Sequence, residues 1–219
     1  MVLFALFVRS GLPLVVLSGV GLMVTAFAVA NAFRVERLVV LSGVGLIVTA
    51  FAVANAFRVE RRPAAILGLS PVSKKVGVFV AVGCAVGAAF AVLHRVTWDM
   101  GTLPARLTSF AVVGAAIGAA EELLYRGYVQ GRLRAFGWVI PVVLAAGAHT
   151  AYKTALFALP PDGVAIDLRF LAVWTLIGGV VFGALRQASG SVLPPLAAHV
   201  VFDIVVYGEH VEAPWWVWG

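Results

Sequence analysis

Seven apolar runs, each long enough to cross a lipid bilayer as a helix, dominate this chain, at about 11 to 33, 38 to 57, 76 to 93, 107 to 125, 137 to 158, 169 to 185 and 192 to 208. A helix rises about 1.5 Å per residue, so roughly 20 apolar residues cross the hydrocarbon core. Inside that core no water satisfies backbone N–H and C=O groups, so such runs fold as helices that close their own hydrogen bonds. The expected fold is all-α, a polytopic transmembrane helical bundle of about seven spans. Composition agrees. Hydrophobic residues make up 62% of the chain and charged residues 12%, against about 25% charged in soluble domains. The net charge of +6 comes from basic residues spaced singly or in pairs between apolar runs. That pattern anchors loops at a membrane surface and does not build a nucleic-acid face. Cys84 is the only cysteine, which excludes intrachain disulfides. Met1 to Phe7 lacks a basic n-region and reads as part of an anchored N-terminus, not a cleaved signal.

Two parts follow from internal similarity. Leu14–Arg37 (LVVLSGVGLMVTAFAVANAFRVER) recurs as Leu38–Arg61 with only Met23 replaced by Ile47. Residues 1–62 therefore form an N-terminal hydrophobic segment with a 24-residue tandem repeat, and residues 63–219 form a separate membrane domain. Arg58, Arg61, Arg62, Lys74 and Lys75 mark the linker between the two as cytoplasmic. Alternation then places Arg126, Arg132 and Arg134 inside, and Pro160 to Asp167 and the tryptophan-rich tail outside. A direct repeat puts Arg34 and Arg37 opposite Arg58 and Arg61, so the topology of one copy is frustrated.

An ionisable group at mid-bilayer costs about 2.5 to 3.5 kcal/mol, which makes charges inside spans functional candidates. Here they cluster in three spans. The fourth ends in Glu121-Glu122-Leu-Leu-Tyr-Arg126, the fifth holds His149 and Lys153, and the seventh holds His199 and Asp203. On an α-helix Glu122 and Arg126 lie about 40° apart and Glu121 about 140° from Arg126. Arg126 then pairs with Glu122 as a structural ion pair and leaves Glu121 without an obligatory counter-ion, which suits a general base acting on water. At about 1.5 Å per residue, Glu121 lies roughly 6 Å, His199 roughly 10 Å and His149 roughly 18 Å from the cytoplasmic ends of their spans. The three meet in the cytoplasmic half, in a polar chamber expected to open there. Lys153 is expected to snorkel to the outer interface, and His94 and His210 to be solvated at span ends. Gly114, Gly118, Gly178, Gly179 and Gly183 read as close helix-packing positions, with Gly190 in a turn.

The segments EELLYRGYVQGRLR, HTAYK and FGALRQASGSVLPPLAAHVVFD, in this order from Glu121 to Asp203, resemble the motifs of the type II CAAX prenyl endopeptidase (CPBP, Abi) family. The resemblance implies an intramembrane endopeptidase and a catalytic domain within 63–219. It makes Glu121 the base that activates water, His149 its partner, His199 the donor to the tetrahedral oxyanion, and Asp203 either a protonated group or the residue that orients His199. Two positions depart from the family pattern: Ala145 stands where phenylalanine is usual and Asp203 where asparagine is commoner. An ionised aspartate cannot donate to an oxyanion as an amide does. The expected substrate is a membrane-embedded or lipidated peptide, prenylated or bacteriocin-like, handled in a multi-pass protein of a prokaryotic cell membrane. No cofactor is expected on the favoured reading. Zinc held by Glu121, His149, His199 and Asp203 is the chemical alternative, since these residues offer the nitrogen and oxygen donors of a catalytic site. A proton-coupled transporter and a non-catalytic immunity or scaffold protein are the alternatives from other classes.

Overall fold

The computed structural model describes residues 37–69, 71–158 and 166–209, with side chains from Gly45 onward. The first expected span, and with it the first copy of the repeat except Arg37, lies outside the described residues, as do His210 and the tryptophan-rich tail. Among the described residues the regular secondary structure is all helical. Helix α1 covers Arg37–Val59, α2 Pro63–Leu67, α3 Lys74–Thr97, α4 Ser109–Glu122, α5 Gln130–Leu133, α6 Val139–Phe157, α7 Leu168–Ser189 and α8 Leu193–Tyr207. Helices α3, α6 and α7 are long and apolar enough to cross a membrane; α8 and the described part of α1 are apolar but shorter. Large apolar side chains such as Val78, Val112, Ile140, Val143, Leu144, Val173 and Ile177 face outward, as a lipid-solvated bundle requires.

Local sequence sets the helix ends. Ser73 caps α3 by accepting the Val76 N–H at 3.2 Å. Asp167 caps α7 by accepting from the Arg169 and Phe170 N–H groups at 3.0 Å. Pro63 and Pro194 sit in first turns, where a missing N–H costs nothing. Gly190 ends α7 with φ 75° and Gly68 ends α2 with φ 71°, so the expected turn at Gly190 is observed. A side chain at Gly68 would also strike the Arg186 guanidinium. Buried Arg186 donates to the carbonyls of Arg126 and Ile66 at 3.2 Å each and ties α2 beneath the end of the α4 rod.

That rod departs from the expected α-helix. Between α4 and α5, Leu123–Val129 is π-helical, so the helical rod runs from Ser109 to Leu133. Glu121 consequently stands near the middle of the rod, not about one turn from its end. The extension stays in the bundle because Leu124, Tyr125, Tyr128 and Leu133 are buried and Tyr128 accepts a 2.8 Å bond from Asn55 of α1. π-helical turns recur at functional sites, and this one begins directly after the glutamate pair.

The tightest packing joins α3 to α8. A Cβ on Gly83 would overlap the Pro194 carbonyl, and one on Gly87 the Ala198 carbonyl. Neither glycine stood out in the sequence. Gly179 and Gly183 pack as expected, against Ala146 and Val142 of α6. Gly178 does not, since a Cβ there meets nothing within 4 Å. Gly87→Ala is expected to lower stability by about 1–3 kcal/mol through overpacking, whereas Gly77→Ala, with open space at its Cβ, is expected to be neutral. Thermal unfolding in one detergent compares the two.

At one end of the bundle Arg95, fully buried, closes α3 onto α8. It donates to the carbonyls of Met100, Gly101, Leu103 and Val205 and to the Glu209 carboxylate at 2.9 Å. The Ala105 N–H and Arg95 together hold the Glu209 carboxyl below the usual carboxylate range. At the opposite end Arg132 pairs with Glu60.

Candidate active site

Three helical rods bring their polar residues to one point. Glu121 and Glu122 end α4, Arg126 follows in the π-helical turn, His149 and Lys153 lie one turn apart on α6, and His199 and Asp203 lie one turn apart on α8. Helix α7 contributes Phe182, whose ring lies 5.7 Å from that of His199 and 5.8 Å from the Arg126 guanidinium carbon. Gly118 lets α8 approach, because a Cβ there would overlap the Asp203 carboxylate and crowd the His199 ring. Glu121, Glu122, Arg126, His149 and Asp203 are all buried.

The contacts assign the ring nitrogens. Arginine only donates, so the 3.0 Å contact from Arg126 Nη1 makes His149 Nδ1 an acceptor. In neutral His149 the proton therefore sits on Nε2, which donates to Glu121 Oε2 at 3.1 Å. His199 is held the other way round, with its Nδ1 donating to Glu122 Oε1 at 2.8 Å. Its Nε2 faces Glu121 Oε2 at 3.9 Å and Asp203 Oδ2 at 3.7 Å. Those separations are too long for direct hydrogen bonds but suit groups that share one small reacting molecule. Tyr125 stacks on His149 with centroids 4.6 Å apart and rings 27° from parallel, which fixes the imidazole plane.

Two expectations are corrected here. Lys153 does not snorkel outward: its Nζ lies 2.7 Å from Glu121 Oε1, so Glu121 has a counter-ion after all. A lysine four residues after His149 shares its helix face, which was the signal available in the sequence. The Glu122–Arg126 pair, at 2.9 Å, is present as expected. It also does more than neutralise charge, since Glu122 orients His199 and Arg126 orients His149. His94 is likewise no solvated end residue, but packs among Trp98, Phe170 and Phe202. Ala145 is fully buried.

A cavity of about 530 Å³ leads to the cluster. One end of the bundle bears Arg132 and Arg134. Toward that end the fully buried Arg126 and Gln130 stand in the way, and Gly131 is pressed against Ile66 of α2. The cavity instead runs past His94 and Trp98 at the end of α3, Phe157 at the end of α6, and Asp167 and Trp174 on and before α7. Among the described residues no three or more His, Cys, Asp or Glu side chains are arranged to hold a metal ion. Within the cluster, the Lys153 ammonium lies against the same carboxylate that zinc would need.

Neither a curated protein nor a solved structure matches the chain. A family model does: residues 102–205, just under half of the sequence, match type II CAAX prenyl endopeptidase Rce1-like. This segment, which carries Glu121, Glu122, Arg126, His149, His199 and Asp203, is what the chain shares with the Rce1-like type II CAAX prenyl endopeptidases.

Proposed function

We propose that this protein is an intramembrane endopeptidase that hydrolyses a peptide bond of a membrane-associated substrate with water activated by Glu121. The observation that carries the reading is Glu121 at the floor of the cavity, with one oxygen against Lys153 and the other against His149 and within 3.9 Å of His199. Glu121 takes a proton from water as the oxygen attacks the scissile carbonyl, and then returns it to the leaving amine. His149, with both ring nitrogens engaged, donates from Nε2 to that carboxylate and holds it in position for the attacking water. His199 donates to the oxyanion from Nε2; because its Nδ1 already donates to Glu122, this role requires the imidazolium. Asp203, one turn away on α8, orients that ring from the far side. The aromatic and aliphatic walls of the cavity, among them Phe90, Leu93, Phe170 and Leu171, suit a lipid-modified or apolar peptide.

The test is cleavage by the purified protein in detergent of a mixed panel of prenylated and transmembrane peptides, with and without a strong chelator. Wild-type cleavage that survives chelation and disappears in His149→Ala is expected. Loss on chelation with recovery on adding zinc would replace carboxylate catalysis by a metal mechanism at the same residues. Lys153→Arg is expected to retain most activity and Lys153→Met to lose about ten-fold or more, mainly in kcat, because an uncharged side chain no longer holds the Glu121 carboxylate.

A further inference from the structure

Resting on the peptidase reading, we infer that Gly178 is a specificity-determining position: the gap it leaves in the cavity wall takes a large apolar side chain of the substrate. Glycine in the interior of a helix is less stable than alanine, because it has more backbone freedom to lose on folding. In a membrane bundle that loss is offset where the small residue lets a neighbouring helix come close. Gly83, Gly87, Gly118 and Gly179 are of that kind, since a Cβ on each would overlap or crowd another helix. Gly178 is not. It lies in the interior of α7, half-buried and lining the cavity, yet a Cβ there meets nothing within 4 Å. Gly147 of α6 has the same open space but is exposed and forms no part of the cavity wall.

The gap adjoins the reacting groups. A Cβ on the next residue, Gly179, would lie 3.2 Å from Arg126 Nη2, and Arg126 donates to both Glu122 and His149. One turn further along α7, the Phe182 ring lies 5.7 Å from that of His199. One turn back stand Trp174 and Thr175, which also line the cavity. Residues three and four apart share a helix face, so Trp174, Gly178 and Phe182 form one stripe with its middle side chain missing. Phe90 of α3, with its ring 6.2 Å from that of Phe182, adds a further apolar wall. A charged side chain placed in this gap would lose its water without gaining a partner, whereas a leucine- or phenylalanine-sized one fills space between aromatic rings. The substrate residue that fills it is therefore apolar and close to the scissile bond.

The experiment uses fluorescent farnesylated peptides in two versions, with alanine or with phenylalanine at both positions flanking the modified cysteine. Binding is read by fluorescence anisotropy on the Glu121→Gln protein, which holds peptides uncut, with the signal of empty micelles subtracted; cleavage is read on the protein with Glu121 intact. Gly178→Leu is expected to weaken binding of the phenylalanine version about ten-fold or more relative to the alanine version. Gly178→Ala should fall between, and Gly147→Leu should change neither. Because leucine at 178 strikes nothing, Gly178→Leu should unfold at or above the wild-type temperature, which separates a filled gap from a damaged fold. Equal weakening of both versions by Gly178→Leu, no weakening of either, or no binding of either before substitution would overturn the inference. Selective binding that Gly178→Leu abolishes, without cleavage when Glu121 is intact, would count against the peptidase reading and leave the gap standing as a ligand site. Cleavage of both versions that Gly178→Leu leaves unchanged would do the opposite.

Discussion

Replacing Glu121 with glutamine is expected to slow cleavage by about 10²- to 10⁴-fold, the contribution of a positioned general base. Glutamine has the same shape and can still accept from His149 Nε2, which donates to Glu121 at 3.1 Å, but it cannot take the proton from water. The loss should fall on kcat, since the walls of the cavity that bind an apolar substrate are unchanged. Lys153, 2.7 Å from this carboxylate, would be left without its nearest anion, so some stability is lost as well. Glu121→Gln combined with Lys153→Met removes both charges and separates the two effects, with recovery of thermal stability and none of activity. A Glu121→Gln protein that cleaves at the wild-type rate would sink the assignment of the base.

Arg126→Met has the largest expected effect on the fold. Glu122 and Arg126 are both fully buried and 2.9 Å apart. Removing one member of a buried pair leaves an uncompensated charge and costs about 3–5 kcal/mol. Thermal unfolding in a single detergent measures this. The double variant Arg126→Met with Glu122→Gln has no buried charge left unpaired at these positions and is expected to recover much of that stability. It should not recover cleavage, because the donor to His149 Nδ1 is gone and the strong acceptor for His199 Nδ1 has become an amide oxygen. Full activity in the double variant would reduce the pair to a purely structural role.

The residues of the cluster were legible because charge inside an apolar run is conspicuous and because i,i+4 spacing places Glu122 with Arg126 and His199 with Asp203. What was not legible was what each group would meet on another helix. Lys153 read as a snorkelling residue because a single helix offers it only water at the interface; Glu121 of a neighbouring helix offers a closer anion. The α-helical projection across Glu121 to Arg126 did not anticipate the π-helical stretch Leu123–Val129, since the apolar run itself carries no mark of the extra backbone width. Gly83 and Gly87 looked like other glycines of an apolar run until α8 was laid against them.

By itself the sequence determined that the chain is a membrane-embedded bundle of helices, because unbroken apolar runs have no other way to satisfy their backbone in lipid. It also determined which few polar residues would have to account for one another in that setting. Only the tertiary structure decided the partners, the tautomers and the direction of the cavity. Those depend on contacts between residues as far apart as Glu122 and His199, and on helix rotations that are set by where glycines let two backbones meet.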